Sequence, residues 1–190
     1  MIIAIDGPSA SGKSTTARGI ARKLGITHLD TGAMYRAVTW EIMEIDLNVM
    51  DKNIFDDYLN KLQIYFDSHN KIYINGKNVS EEIRRSKISS KVSAISAIPR
   101  IRNKMVEIQR KIGFKGDCVL EGRDIGTVVF PNADFKFFLI AEIIVRAKRR
   151  LEELKKINEI STLDKIIKSI NRRDEMDSKR NHSPLIKADD

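Results

Sequence analysis

The octet Gly7-Pro8-Ser9-Ala10-Ser11-Gly12-Lys13-Ser14 fits the spacing G-x-x-x-x-G-K-[ST]. At that spacing the backbone N–H groups from Gly7 to Ser14 would wrap phosphates at a helix N-terminus. Lys13 would reach the β/γ oxygens and Ser14 would bind Mg²⁺. The loop leaves open what becomes of the terminal phosphate: it could go to water, to another molecule, or nowhere.

A GTP-hydrolysing switch needs a guanine-reading Asn-Lys-x-Asp and usually an Asp-x-x-Gly. Asn60-Lys61, Asn70-Lys71 and Asn103-Lys104 all lack the aspartate, and no Asp is followed three residues later by Gly. A motor or transporter ATPase needs a larger body. It also needs a strand-terminal carboxylate for Mg²⁺ and water, for which Glu121 after "CVL" is the candidate, acting through a water. What is left is transfer to a small acceptor, which must bring its own negative charge to the triphosphate and so needs cations. "DTGAMYR" puts Thr31 where it would cap a helix and Arg36 one turn in; "GRDIGT" puts Arg123 and Asp124 at the C-terminal edge of a strand, where doubly wound sheets bind ligands. Each has a bland alternative, Arg36 as a solvated helix residue and Arg123-Asp124 as a local ion pair, but their shared strand-end placement favours function. Arg146, Arg149 and Arg150 recur at helical spacing in "RAKRRLEEL". Most of their charge reads as a solvated face laced with Glu152 and Glu153, from which one or two arginines would close over phosphates as a lid. Arg173, Asp177 and Arg180, spaced four and three, share a helix face that alone reads as an exposed ion-pair stripe.

The elements that must hold these residues follow from pattern. Ile2 to Ile5 reads as a first strand rather than a signal peptide, and helical spacing starts at Lys13 and stops at Gly25, a C-cap glycine. "ITHLD" is a strand, and the helix after it opens at Thr31-Gly32. Between about 63 and 79 the chain alternates, with turns at Asp67 to Asn70 and at Asn75-Gly76, which predicts a small antiparallel insert. Helices punctuated at Pro99 follow, then two buried parallel strands in "DCVLEG" and "DFKFFLIA". Two amphipathic helices then flank the hinge "INEIST". The fold class is α/β with a central, mostly parallel sheet flanked by helices.

Composition sets the bounds. A chain of 190 residues holds one complete core with inserted lobes. Hydrophobic content of 42% with 32% charge, and no apolar run near ~20 residues, describes a soluble chain with no membrane partner. The single cysteine, Cys118, excludes an internal disulfide, fits the cytoplasm, and reads as a small buried hydrophobe. His28, His69 and His182 are scattered without metal-ligand spacing and are assigned no chemistry. The net charge of +8 suits an anionic partner. Basic residues interleaved with exposed aromatics, the mark of nucleic-acid binding, are absent; a basic RNA-binding module that senses nucleotide without transfer is the non-enzyme alternative.

Taken in order, "IDGPSASGKST", "LDTGAMYRAV", "IPRIRNKM", "LEGRDIGTVVFPNADFKFFL" and "RRDEMDSKR…SPL" resemble the bacterial cytidylate kinases of the nucleoside monophosphate kinase group, collinearly from residue 2 to about 190. The resemblance implies a P-loop kinase domain over 1–190. Its core would span 1–30 and 114–141, a monophosphate-binding lobe about 31–113 with the β-rich insert at 63–79, a lid region about 146–165, and a C-terminal helix about 162–181. It implies ATP, with Mg²⁺ as cofactor, at Gly7, Pro8, Ser9, Ala10, Ser11, Gly12, Lys13, Ser14 and Thr15. It implies CMP or dCMP as acceptor, its phosphate gripped by Arg36 and Arg123. Ser93, Arg102 and Asp124 would read the cytosine, Arg173 and Asp177 would hold the sugar with Arg180 close by, and Thr31 and Tyr35 would line the pocket. Ser93 and Arg102 come from the resemblance alone. The expected assembly is a monomer. The family usually runs past "SPL…AD" into a further strand and helix, so the sheet is expected to lack its usual last strand and stability to be lower than in longer members.

Overall fold

The computed structural model describes residues 1–190 and divides the chain into two compact units, Met1–Gly32 with Gln109–Asp190, and Ala33–Ile108.

The first unit is built on a parallel sheet of β1 (Ile2–Asp6), β2 (Thr27–Asp30), β6 (Cys118–Gly122) and β7 (Phe135–Phe138), in the order β2-β6-β1-β7. The central strands β1 and β6 are short apolar runs buried on both faces, as strands covered by crossovers must be. α1 (Lys13–Leu24) lays Ala17 and Ala21 on Ile3, Ile5 and Val119. It ends at Gly25, whose φ of 67° is the left-handed conformation of a C-cap and whose N–H donates to the Ala21 carbonyl. α6 (Ile143–Lys156) and α7 (Leu163–Lys179) are amphipathic and bury Ala147, Leu154, Ile166 and Ile170 between them, with Thr162 capping α7 through the Lys165 N–H.

The second unit carries most of α2 (Thr31–Glu44) and of α5 (Pro99–Gly113), with α3 (Lys52–Lys61), α4 (Ser86–Ser96) and an antiparallel sheet of β3 (Ile64–Phe66), β4 (Ile72–Ile74) and β5 (Lys77–Asn78). Both expected turns close it. Asp67 Oδ1 accepts from the N–H groups of His69 and Lys71, and Asn75-Gly76 takes two positive φ values, 46° and 83°. Asn75 Nδ2 and the Tyr58 hydroxyl both donate to the Glu41 carboxylate, which ties the turn and α3 to α2. Pro99 stands at the first position of α5, where its missing N–H costs nothing.

One element has no counterpart in the sequence pattern. "IGTVV" after β6 forms a single π-helical turn, Ile125–Val129. Asp6, at the end of β1, anchors it: the buried carboxylate accepts from Ile125 N at 2.9 Å and from Gly126 N at 2.8 Å, tying the turn to the neighbouring strand.

Candidate active site

The strand–loop–helix context that the phosphate motif requires is present, with β1 delivering Gly7 and the loop feeding α1. Gly7 has φ 146°, and a Cβ built there would lie 2.1 Å from the Leu139 carbonyl oxygen, so only glycine lets the loop pass this close to the end of β7. Lys13 is buried; its Nζ donates to the Pro8 carbonyl at 2.7 Å and lies 3.4 Å from Ser11 Oγ. Burial lowers its ammonium pKa well below the ordinary lysine value, and the nearby Arg123 and Arg173 push it the same way. A dry amine whose charged form is disfavoured beside two arginines gains most from a polyanionic phosphate.

Ser14 Oγ donates to Glu121 Oε2 at 2.6 Å, which unites the loop with the end of β6. The other carboxylate oxygen, Oε1, accepts from His28 Nε2 at 2.9 Å, and the Thr31 hydroxyl donates to the Glu121 carbonyl at 2.7 Å. Thr31 therefore ties β6 to the start of α2, where the sequence suggested a helix cap. A hydroxyl and a carboxylate at this separation suit a small hard cation that keeps most of its waters, and no group of three or more His, Cys, Asp or Glu forms an all-protein metal cage.

At the C-terminal end of β6 the expected charges converge within the first unit. Arg123 Nε donates to Asp177 Oδ2 at 2.9 Å, Arg173 approaches the same oxygen to 3.9 Å, and Arg180 lies 4.0 Å from Asp177 and 3.8 Å from Asp124. Burial pushes the Asp177 carboxyl up, but Arg123, Arg173 and Arg180 together outweigh it and hold the group below the ordinary carboxylate value. Far from a solvated stripe, this is a buried network: Asp124 and Asp177 are each 3% exposed. Arg180 stands one residue past the end of α7 and is held there by Nε donating to the Ser183 carbonyl.

The lid candidates divide. Arg146 is buried, pairs with Asp174 and donates to the Ser9 carbonyl at 3.2 Å, while Asp174 Oδ1 accepts from Ser9 N at 3.2 Å. Arg149 donates to the Ala10 carbonyl at 3.4 Å, and Arg150 pairs with Glu153 on its own helix at 3.0 Å. Arg146 and Arg149 thus hold the phosphate loop's backbone, and Arg150 pairs along its own helix. In the second unit Tyr35 and Arg36 lie on α2, Ser93 on α4 and Arg102 on α5. Arg102 is buried, with its guanidinium 5.2 Å from the centre of the Tyr35 ring and Nη1 donating to the Ser96 carbonyl.

Sequence reasoning passed over Asp6, Asp174 and His28. No local signal marks His28, because its partner Glu121 lies 93 residues further along the chain.

Residues 3–190 match the sequence profile of the cytidylate kinase family. The chain is 48% identical to a cytidylate kinase of Cytophaga hutchinsonii, covering all of this chain and 83% of that protein, and 45% identical to one of Clostridioides difficile, covering all of this chain and 88% of that one. It is 50% identical to part of a bifunctional pantoate ligase/cytidylate kinase of Prochlorococcus marinus, covering all of this chain and 38% of that protein. A solved structure of an uncharacterised protein from Eubacterium ventriosum shares the fold, with a TM-score of 0.52 at 16% identity over all of this chain and 83% of that one.

Proposed function

The chain belongs to the cytidylate kinase family, and on that premise we propose that it transfers the γ-phosphoryl group of ATP to CMP or dCMP, giving ADP and CDP or dCDP. The observation that carries the reading is the cluster of half-buried arginines, Arg123, Arg173 and Arg180, gathered on the buried Asp177 in the same unit as the phosphate loop. A nucleotide-holding loop alone has no use for it; a second anionic substrate does.

A phosphate oxygen of CMP, already anionic at neutral pH, attacks the γ-phosphorus in line. The bond to the β–γ bridging oxygen breaks and ADP leaves, so no general base is required. Catalysis rests on positioning and charge neutralisation. Lys13 meets the β/γ oxygens, and Arg36 and Arg123 orient the acceptor phosphate. Ser14, with Glu121 through a water, would hold the Mg²⁺ that accompanies ATP and supplies further neutralisation. Asp124 and Ser93 accept from the exocyclic amino group of cytosine, which uracil lacks, and Arg102 completes the base site; a site built to pair that amino group rejects a base without it. Arg173 and Asp177 hold the sugar, with Arg180 beside the nucleotide and Thr31 and Tyr35 against it.

A coupled ADP-release assay with CMP, dCMP, UMP, AMP and shikimate as acceptors tests the reading. Cytidine monophosphates should be turned over in clear preference, and an enzyme indifferent to the base, or active only with another acceptor, would overturn it.

A further inference from the structure

We propose that His28 is a positioning residue for the metal side of the site, acting through Glu121 on the Ser14 hydroxyl; the proposal rests on the phosphoryl-transfer reading above. β2 and β6 run parallel with His28 opposite Val119 and Asp30 opposite Glu121, so His28 and Glu121 are diagonal neighbours on one face of the sheet. Their side chains are 9% and 5% exposed. A glutamate there has three side-chain torsions and little water to fix them. Two donors do so instead, His28 Nε2 on Oε1 at 2.9 Å and Ser14 Oγ on Oε2 at 2.6 Å.

The two bonds divide the carboxylate's work. With Oε1 held by the imidazole, the carboxylate plane is set and Oε2 is aimed at the first turn of α1, where it selects the orientation of the Ser14 hydroxyl. Without the imidazole the carboxylate is free to rotate about its last torsion, and the serine loses a fixed acceptor. His28 touches neither substrate; its influence reaches the cation through oxygens that it holds in place, as partners behind metal ligands do elsewhere.

The experiment measures binding rather than turnover. Mn²⁺ serves as the probe, followed by electron paramagnetic resonance in the presence of ATP, with metal-free ATP and CMP affinities taken by calorimetry. His28→Leu and His28→Met both remove the donor while keeping side-chain bulk, and His28→Gln keeps an N–H donor at the ε position; a thermal melt qualifies each protein as folded. Either donor-less variant should weaken Mn²⁺ binding to the ATP complex by about 10- to 100-fold, with metal-free ATP and CMP affinities unchanged and the glutamine variant recovering most of the loss. Unchanged Mn²⁺ affinity in a folded donor-less variant overturns the proposal. So does a parallel loss of CMP affinity, which marks general damage, or a glutamine variant no better than leucine. A wild-type protein that binds Mn²⁺ and ATP yet phosphorylates no cytidine monophosphate defeats the kinase reading and leaves these binding outcomes to be judged separately.

Discussion

Arg123 on the loop after β6 and Asp177 on α7, fifty-four residues apart in sequence, form a hydrogen-bonded ion pair at 2.9 Å between Nε and Oδ2. Arg173 and Arg180 reach the same carboxylate, so one acid holds three arginines at the end of the sheet. The Asp177 pKa is lowered in the fold, so its contribution to stability is fully present above the unfolded value near ~3.9 and is lost as the pH falls through the folded value. Asp177→Asn should cost about 2–3 kcal/mol at neutral pH, less than a wholly buried pair because Arg123 is partly exposed. Urea unfolding should show this cost shrinking below about pH 4; a cost independent of pH would refute the linkage.

Arg123→Ala should cripple turnover far more than ATP binding, because Asp177 retains Arg173 and Arg180 and the fold survives. Asp124→Ala should erode discrimination between CMP and UMP. Steady-state kinetics over both acceptors check the pair: unchanged turnover makes Arg123 merely structural, and preserved selectivity removes Asp124 from base reading.

Burial and the nearby Arg123 and Arg173 disfavour the charged form of Lys13. Lys13→Met should therefore leave the nucleotide-free protein at least as thermally stable as the wild type. Turnover should drop by about 10²- to 10³-fold, as for other lost charge-stabilising donors, and the thermal shift that ATP produces should shrink. A large loss of stability without nucleotide would contradict this account of the site.

Burial pushes the Asp6 carboxyl up to about 6, against the opposing N–H groups of Gly126 and Ile125. Its favourable contribution is therefore full below the unfolded value near ~3.9 and is lost as the pH rises through 6. Between pH 4 and 7.5 the stability difference between wild type and Asp6→Asn should move about 2–3 kcal/mol in favour of the variant. Denaturant titrations at the two pH values decide it, and a constant difference would count against the raised pKa.

Gly7→Ala should be among the most damaging single-methyl additions. The new Cβ would strike the Leu139 carbonyl, and the Leu139 N–H is itself held by the Asp6 carbonyl at 2.8 Å, so the strand end has little freedom to retreat. A loss of about 3 kcal/mol or more is expected in urea unfolding; a near-neutral effect would mean that the strand end yields.

Much of this architecture is written locally. The α1 cap at Gly25, the Asp67 and Asn75-Gly76 turns, the break at Pro99 and the parallel strands all follow from patterns a few residues long. The loop cations Lys13 and Arg123 were legible for the same reason. What escaped depends on partners remote in sequence. The π-turn at Ile125–Val129 is anchored by a carboxylate 119 residues earlier that accepts from Ile125 N, and no local pattern encodes that. His28 looked inert because its partner is 93 residues away, and Arg146 could not be told from its neighbours on a solvated or lid-forming face because Asp174 lies on another helix.

Ser9 is gripped on both sides by residues remote in sequence: Asp174 takes its N–H from 165 residues away and Arg146 gives to its carbonyl from 137. During synthesis the loop emerges well over a hundred residues before the side chains that settle its backbone. A nascent chain ending after β7 would have all four strands of the sheet and an unsettled loop, so nucleotide should protect ribosome-held chains from proteolysis only once α7 has cleared the exit tunnel.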